Sequence, residues 1–249
     1  MHTGLIIIGD EILSGRRVDK HLPNLSTLLA ERGMTLDWMK IIGDDKQLLD
    51  ETLQQSFASN DLVFCTGGIG ITPYDLTREA AARAAGVPLT RHADGVKLLE
   101  VLAKERNITL TEGQYQLVDF PQNAELIPNS VNGVPGFSVN NHHFMPGFPD
   151  MARTMMEWVL DHRYPHLHSS RYREYSLLVR GVYEHLLIPV MDKIIEKHAT
   201  VKVFCLPGMD MDQPRNEVGV KGVMPDVLSA FELLKSQLAM HNYRWEPLN

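Results

Sequence analysis

Cysteine is nearly absent: the 249 residues hold two, Cys65 and Cys205. Both lie inside apolar runs that read as strands, where a thiol behaves as a small buried hydrophobe. No disulfide framework is expected, and a reducing, cytoplasmic location fits. Positive charge is also scarce. The chain has 24 Lys and Arg against 31 Asp and Glu, a formal net charge of −7, with no run of basic residues. Nucleic acids and anionic membrane surfaces are bound through a broad positive face, so neither is expected as a partner. No membrane span is expected either. The apolar run at residues 4 to 8 stops at Gly9-Asp10-Glu11, far short of the roughly 20 residues a span needs. It reads as a strand and not as a signal peptide.

The chain is rich instead in glycine at one place, Thr66-Gly67-Gly68-Ile69-Gly70-Ile71-Thr72-Pro73-Tyr74-Asp75-Leu76-Thr77. The run before it, residues 61 to 65, is short, continuous and apolar, as a buried parallel strand is. The run after it, Asp75 to Ala85, reads as a helix ended by Gly86 and Pro88. A glycine loop between a strand and a helix start brings peptide N–H groups against a phosphate or another anion. The alternative is a tight turn that needs small residues for packing alone.

The same rim recurs along the chain. Residues 4 to 8 form a first strand followed by Gly9-Asp10-Glu11-Ile12-Leu13-Ser14-Gly15, whose carboxylates could hold a metal or sugar hydroxyls, or merely cap the loop. A helix over 19 to 32 leads to a second strand, 36 to 42, then Gly43-Asp44-Asp45 and a helix over 46 to 58. A helix cap accounts for one of Asp44 and Asp45. Three parallel strands would gather Asp10, Asp44 and Asp75 on one rim. A helix over 92 to 107 and short, partly antiparallel strands at 124 to 129, 136 to 139 and 142 to 145 follow. His142 and His143 are adjacent in a strand, point to opposite faces and are discounted as a ligand pair. Pro146-Gly147-Phe148-Pro149 forms a rigid turn, either a pocket wall or a plain connection. The helix after it carries Met151, Met155, Trp158 and Val159 on one face.

Residues 163 to 172 read as a linker, and 173 to 249 as a small α+β subdomain of order βαββα. Its two helices each have one burying face, through Leu186, Val190 and Ile194, and through Val227, Phe231, Leu234 and Leu238. It shows no catalytic constellation, so packing or oligomerisation is its expected role, and the chain as a whole is expected to form a homo-oligomer.

These stretches resemble the molybdopterin-binding domain of molybdenum-cofactor biosynthesis proteins, and most of all the amino-terminal part of the competence/damage-inducible (CinA) proteins. The resemblance rests on residues 9 to 15, Asp19 with its helix to Gly33, Gly43-Asp44, the loop from Thr66 to Thr77, Pro135-Gly136-Phe137 and Pro146 to Pro149. It implies a three-layer α/β domain with a mostly parallel sheet over residues 1 to 165. In that fold Thr66, Gly67, Gly68, Gly70, Thr72, Thr77, Asp10, Glu11, Pro146 and Gly147 would bind a nucleotide or pterin phosphate. Asp44 and Asp75 would be the catalytic carboxylates and would hold a divalent metal, Mg²⁺, Mn²⁺ or Co²⁺. The implied activity is hydrolysis of the pyrophosphate in an ADP-ribose-like or FAD-like nucleotide. The alternatives are a non-catalytic binding protein, and a molybdopterin adenylyltransferase or carrier.

Four positions depart from that pattern. Ile71 stands where the branch has proline, Tyr74 where it has a second aspartate, and Asp19-Lys20-His21 where it has Asp-x-Asn. The glutamate expected after the Pro-Gly-x-Pro turn is missing. Tyrosine is no anionic ligand near neutral pH, so these changes weaken turnover more than binding. Tyr74 could instead stack on an aromatic ring, or be an exposed loop residue without a role.

Overall fold

A computed structural model describes residues 1–169, 171–208 and 213–248. The chain divides into two compact units, Met1–His168 and Ser169–Asn249. The first is built on β1 (Thr3–Ile8), α1 (Asp10–Leu13), α2 (His21–Glu31), β2 (Trp38–Ile42), α3 (Lys46–Phe57), β3 (Leu62–Thr66) and α4 (Thr77–Ala85). It continues with β4 (Leu89–Arg91), α5 (Ala93–Glu105), α6 (Glu112–Tyr115), β5 (Asp119–Pro121), β6 (Glu125–Ile127), β7 (Gly136–Val139), β8 (His142–Met145) and α7 (Pro149–Arg163). Six strands form one sheet in the order β2-β1-β3-β8-β7-β6. β1, β2, β3 and β8 run parallel, and β7 and β6 add antiparallel neighbours. The three-layer, mostly parallel α/β fold expected from the sequence is the fold observed.

Alternation along β1 builds the two cores. Leu5 and Ile7 pack with Leu25, Leu28, Phe64, Met155 and Val159 on one face. Ile6 and Ile8 pack with Leu49, Leu53, Val63, Cys65 and Phe144 on the other. Strands covered on both faces need apolar residues at every position, which is why β1 and β3 read as unbroken hydrophobic runs. Among the described residues, no helix is long and apolar enough to cross a membrane.

His142 and His143 do face opposite ways. Nε2 of His142 lies 2.7 Å from Ser56 Oγ, and its ring stacks on Phe57. His143 sits between Ser138 Oγ at 2.8 Å and the Tyr164 hydroxyl at 2.9 Å. Both are structural.

The second unit contains β9 (Tyr172–Arg180), α8 (Ile188–Lys197), β10 (Lys202–Gly208), β11 (Arg215–Val223), α9 (Asp226–Met240) and β12 (Trp245–Pro247). Its antiparallel sheet has the order β10-β11-β9-β12. Val190 and Ile194 of α8 and Val227, Leu234 and Leu238 of α9 pack with Leu177, Val179, Val218 and Val220. The expected βαββα order is present, with the short edge strand β12 added. Part of the polar loop before β11, residues 209–212, lies outside the described residues.

Several element limits differ from those read off the sequence. α8 begins at Ile188, with Pro189 in its first turn, and Glu184–Leu186 is a separate 3-10 turn. Leu186 is consequently exposed and not part of a burying face. The expected linker is also shorter, because α7 reaches Arg163, a 3-10 turn occupies Pro165–Leu167 and β9 begins at Tyr172.

Burial lowers the pKa of His142 to about 4. The unfolded chain therefore takes up a proton below about pH 6.5 that the folded chain refuses, and stability falls as pH drops from there toward 4. His142→Gln removes this titration. Denaturant melts between pH 6.5 and 4 should show its stability declining less steeply than the parent's, by up to about 1.4 kcal/mol per pH unit. Equal slopes would contradict a neutral buried imidazole.

Candidate functional site

The carboxyl ends of β1, β2, β3 and β8 meet at one rim, and backbone bonds stitch them together. Gly9 N–H donates to the Ile42 carbonyl and Gly67 N–H to the Met145 carbonyl, each at 3.0 Å. Asp10 and Asp44 are joined reciprocally: the Asp10 amide donates to Asp44 Oδ2 at 3.1 Å, and the Asp44 amide to Asp10 Oδ1 at 3.3 Å. Asp45 is the helix cap, its side chain accepting from the Leu48 amide at 2.8 Å. One of the two adjacent aspartates caps and the other serves the rim, as the spacing suggested. The Gly9–Gly15 segment is not an open loop, because Asp10–Leu13 closes one helical turn.

The glycine loop is held from inside. Asp75 accepts from the Gly70 amide at 2.9 Å and the Thr72 amide at 2.7 Å. With its side chain folded back on the loop, Asp75 precedes the helix, and α4 starts at Thr77, two residues later than expected. The Thr77 hydroxyl donates to the Gly67 carbonyl at 3.0 Å. From beneath, the buried Arg78 guanidinium donates to the Gly70 carbonyl at 2.6 Å and to the Gln116 carbonyl. No carboxylate lies within ion-pair distance of Arg78 among the described residues, and its Nε has no partner. Burial lowers its pKa, against the opposing pull of Asp119, Asp75 and Glu79.

Three adjoining compartments share Gly147. The first, about 390 Å³, is mostly apolar and is walled by Ile69, Ile71, Leu117, Val134, Pro146 and Phe148, with Gly68, Gly70, Thr72 and Asp75 at its edge. The second, about 440 Å³, carries Glu11, Asp44 and Asp75 with Arg16, Arg17, Gly67 and Gly68. The third, about 380 Å³, lies against Glu11, Arg17, Lys20, His21 and Asp150. Burial raises the Asp44 pKa, and the charges of Asp10, Glu11 and Asp75 raise it further, while the Asp10 amide bond opposes them.

Gly67, Gly68, Gly70, Thr72, Asp75, Glu11, Asp44, Pro146 and Gly147 therefore line one cleft. Thr66 and Thr77 are fully buried behind the loop, and Asp10 turns toward the Asp44 amide. Arg16 and Arg17 were missed. They form no ion pair among the described residues, and the dibasic step after Gly15 in an acidic chain was their only signal. Met151, expected on the packing face of α7, lines the apolar compartment instead.

The loop glycines are required by the protein itself and not only by the room an anion needs. A Cβ at Gly67, where φ is +99°, would collide with the Ile8 carbonyl oxygen, and one at Gly68 with the Thr77 hydroxyl. A Cβ at Gly147 would sit 3.4 Å from the Gly67 Cα, an ordinary contact. Gly67→Ala should therefore lose at least about 2 kcal/mol of stability, while Gly147→Ala should stay within about 0.5 kcal/mol of the parent. Thermal or denaturant melts of the pair check this. Equal stabilities would contradict the packing described for the loop.

Comparison with known proteins agrees with this architecture. Residues 4–168 match the family model of a probable molybdopterin binding domain. A CinA-like protein of Anaeromyxobacter sp. (strain Fw109-5) is 32% identical over 200 residues, covering 77% of this chain and 49% of that protein. The chain thus spans about half the length of such curated relatives. A protein of Caldivirga maquilingensis is 28% identical over 228 residues, covering 88% of this chain and 87% of its own. The crystal structure of the protein CinA with unknown function from Thermoplasma acidophilum superposes with a TM-score of 0.57 at 24% identity, over 64% of this chain and 96% of that one. With the family model matched across the whole of the first unit but its first three residues, the chain belongs to the molybdopterin-binding-domain family and is similar to the CinA-like proteins.

Proposed function

We propose that the cleft binds a phosphate-bearing pterin or nucleotide, with its ring in the apolar compartment and its phosphate beside Gly67, Gly68, Arg16 and Arg17. One observation supports this above the rest: the apolar compartment opens directly onto one with two arginines that lack an ion partner among the described residues. The family description makes molybdopterin the first pterin to test.

A second reading is slow, divalent-metal-dependent hydrolysis of a nucleotide pyrophosphate. The crowding of Glu11, Asp10 and Asp75 around Asp44 favours it, because a divalent cation relieves such repulsion. As placed, these residues do not fit a ready metal cage. Among the described residues, no three His, Cys, Asp or Glu side chains are arranged to hold a metal ion. Both oxygens of Asp75 are already engaged by backbone amides. Binding is therefore the primary proposal, and no catalytic step is assigned to a metal.

A thermal-shift screen of ADP-ribose, FAD, NAD, AMP and molybdopterin, with and without Mg²⁺, Mn²⁺ or Co²⁺, tests both readings. A true ligand at 100 times its dissociation constant should add about 2.7 kcal/mol of stability without any metal. Stabilisation only with metal, accompanied by release of a mononucleotide, would move the assignment to hydrolysis. No shift with any of them would overturn the binding proposal. Tyr74, exposed at the mouth of the charged compartment and not part of the apolar one, is proposed to stack on the second ring of a dinucleotide such as FAD or NAD. Calorimetric titration of Tyr74→Ala should show binding weaker by about 1 kcal/mol, and unchanged affinity would remove Tyr74 from the site.

A further inference from the structure

The second unit carries a cluster that the cleft does not use. β9 and β11 pair so that Arg180 stands directly opposite Arg215. On the other side of β9, Trp245 pairs with Val179, and the Arg180 amide donates to the Arg244 carbonyl. Continuing that register by one residue puts Arg244 opposite Arg180. Directly opposed residues share a sheet face, so Arg244, Arg180 and Arg215 form one row across three adjacent positions, with neighbouring strands about 4.8 Å apart. All three are exposed. Arg180 is satisfied by Glu246, whose Oε1 accepts from Nε at 3.1 Å and from an Nη at 2.7 Å. Arg215 and Arg244 have no ion pair or side-chain hydrogen bond among the described residues. A cavity of about 420 Å³ adjoins the row, lined by Arg180, Arg244, Trp245, Glu246, Gly181 and Gln213.

Like charges placed directly opposite on a sheet repel. Among the described residues, Glu246 is the carboxylate in hydrogen-bond contact with the row, and it engages Arg180 alone, so the guanidiniums of Arg215 and Arg244 keep their donors free. Guanidinium forks suit phosphate oxygens, and three of them set along a line about 10 Å long match linked phosphates better than a single one. We infer that the row Arg244, Arg180 and Arg215, with its adjoining cavity, is a binding site for an oligophosphate anion, separate from the cleft of the first unit. The limited size of the cavity beside the row, about 420 Å³, suits a small molecule such as a diphosphate ester, and the exposed Trp245 offers a face for an attached ring.

Titration of the full chain with inorganic diphosphate, followed by NMR of the arginine Nε–H and tryptophan indole signals, tests this. The signals of Arg180, Arg215, Arg244 and Trp245 should move together and saturate. The double variant Arg215→Gln, Arg244→Gln should lower the affinity read from those signals at least about tenfold. It should also unfold at a higher temperature than the parent at low ionic strength, because two mutually repelling charges are gone, whereas a merely structural pair of arginines would leave it less stable. No movement of these signals, an unchanged affinity in the folded double variant, or a lower melting temperature would overturn the inference. So would a response to a short thymidine oligonucleotide without one to diphosphate. Signals of Gly67 and Gly68 report the cleft separately, so failure there leaves this result readable.

Discussion

The peptide groups of the glycine loop have neither a strand nor a helix to pair with, and buried amides cannot be left unsatisfied. The rest of the rim follows from how this chain meets that demand. Asp75 takes the amides of Gly70 and Thr72, Thr77 takes the Gly67 carbonyl and Arg78 the Gly70 carbonyl. A loop saturated in this way keeps its shape without a ligand, and it stands where strands β1, β3 and β8 end. The same bonds remove Asp75 from the pool of free carboxylates. A metal cage would need that carboxylate free, and the loop's own amides hold it.

Much of the first unit was legible because its signals are local. Continuous apolar runs marked β1 and β3 as strands buried on both faces, and the acid at each strand end marked the rim. That one of Asp44 and Asp45 caps a helix followed from spacing, and the fold shows that it is Asp45. Helix starts were less legible. Asp75 reads as the first residue of a helix in sequence, yet its partners are Gly70 and Thr72, which only the folded loop presents. Pro189 in the first turn of α8 carries the signal that the helix begins there, after the separate 3-10 turn at Glu184–Leu186.

The site was legible in its backbone and less so in its side chains. Glycines and prolines announce conformation, and Gly67, Gly68, Pro146 and Gly147 all line or frame the cleft. Arg16 and Arg17 announce nothing by themselves, since exposed arginines are common; their meaning comes from the compartment they border. The row of arginines in the second unit was beyond reach in one dimension. Its members lie far apart in the chain and meet only through the register of β9, β11 and β12.

Arg78 gives the cleft a property that its lining does not reveal. A guanidinium buried beneath Gly70 and balanced by carbonyl dipoles, without a carboxylate in contact, is a fixed charge in a medium of low polarisability. The work of stripping water from it is done when the chain folds and not when a ligand arrives. The loop above it is therefore polarised in advance, by a field oriented when the chain folds. The corresponding charge on the ledger is a native state less stable than one with an apolar residue at that position, so selection for stability alone would remove Arg78.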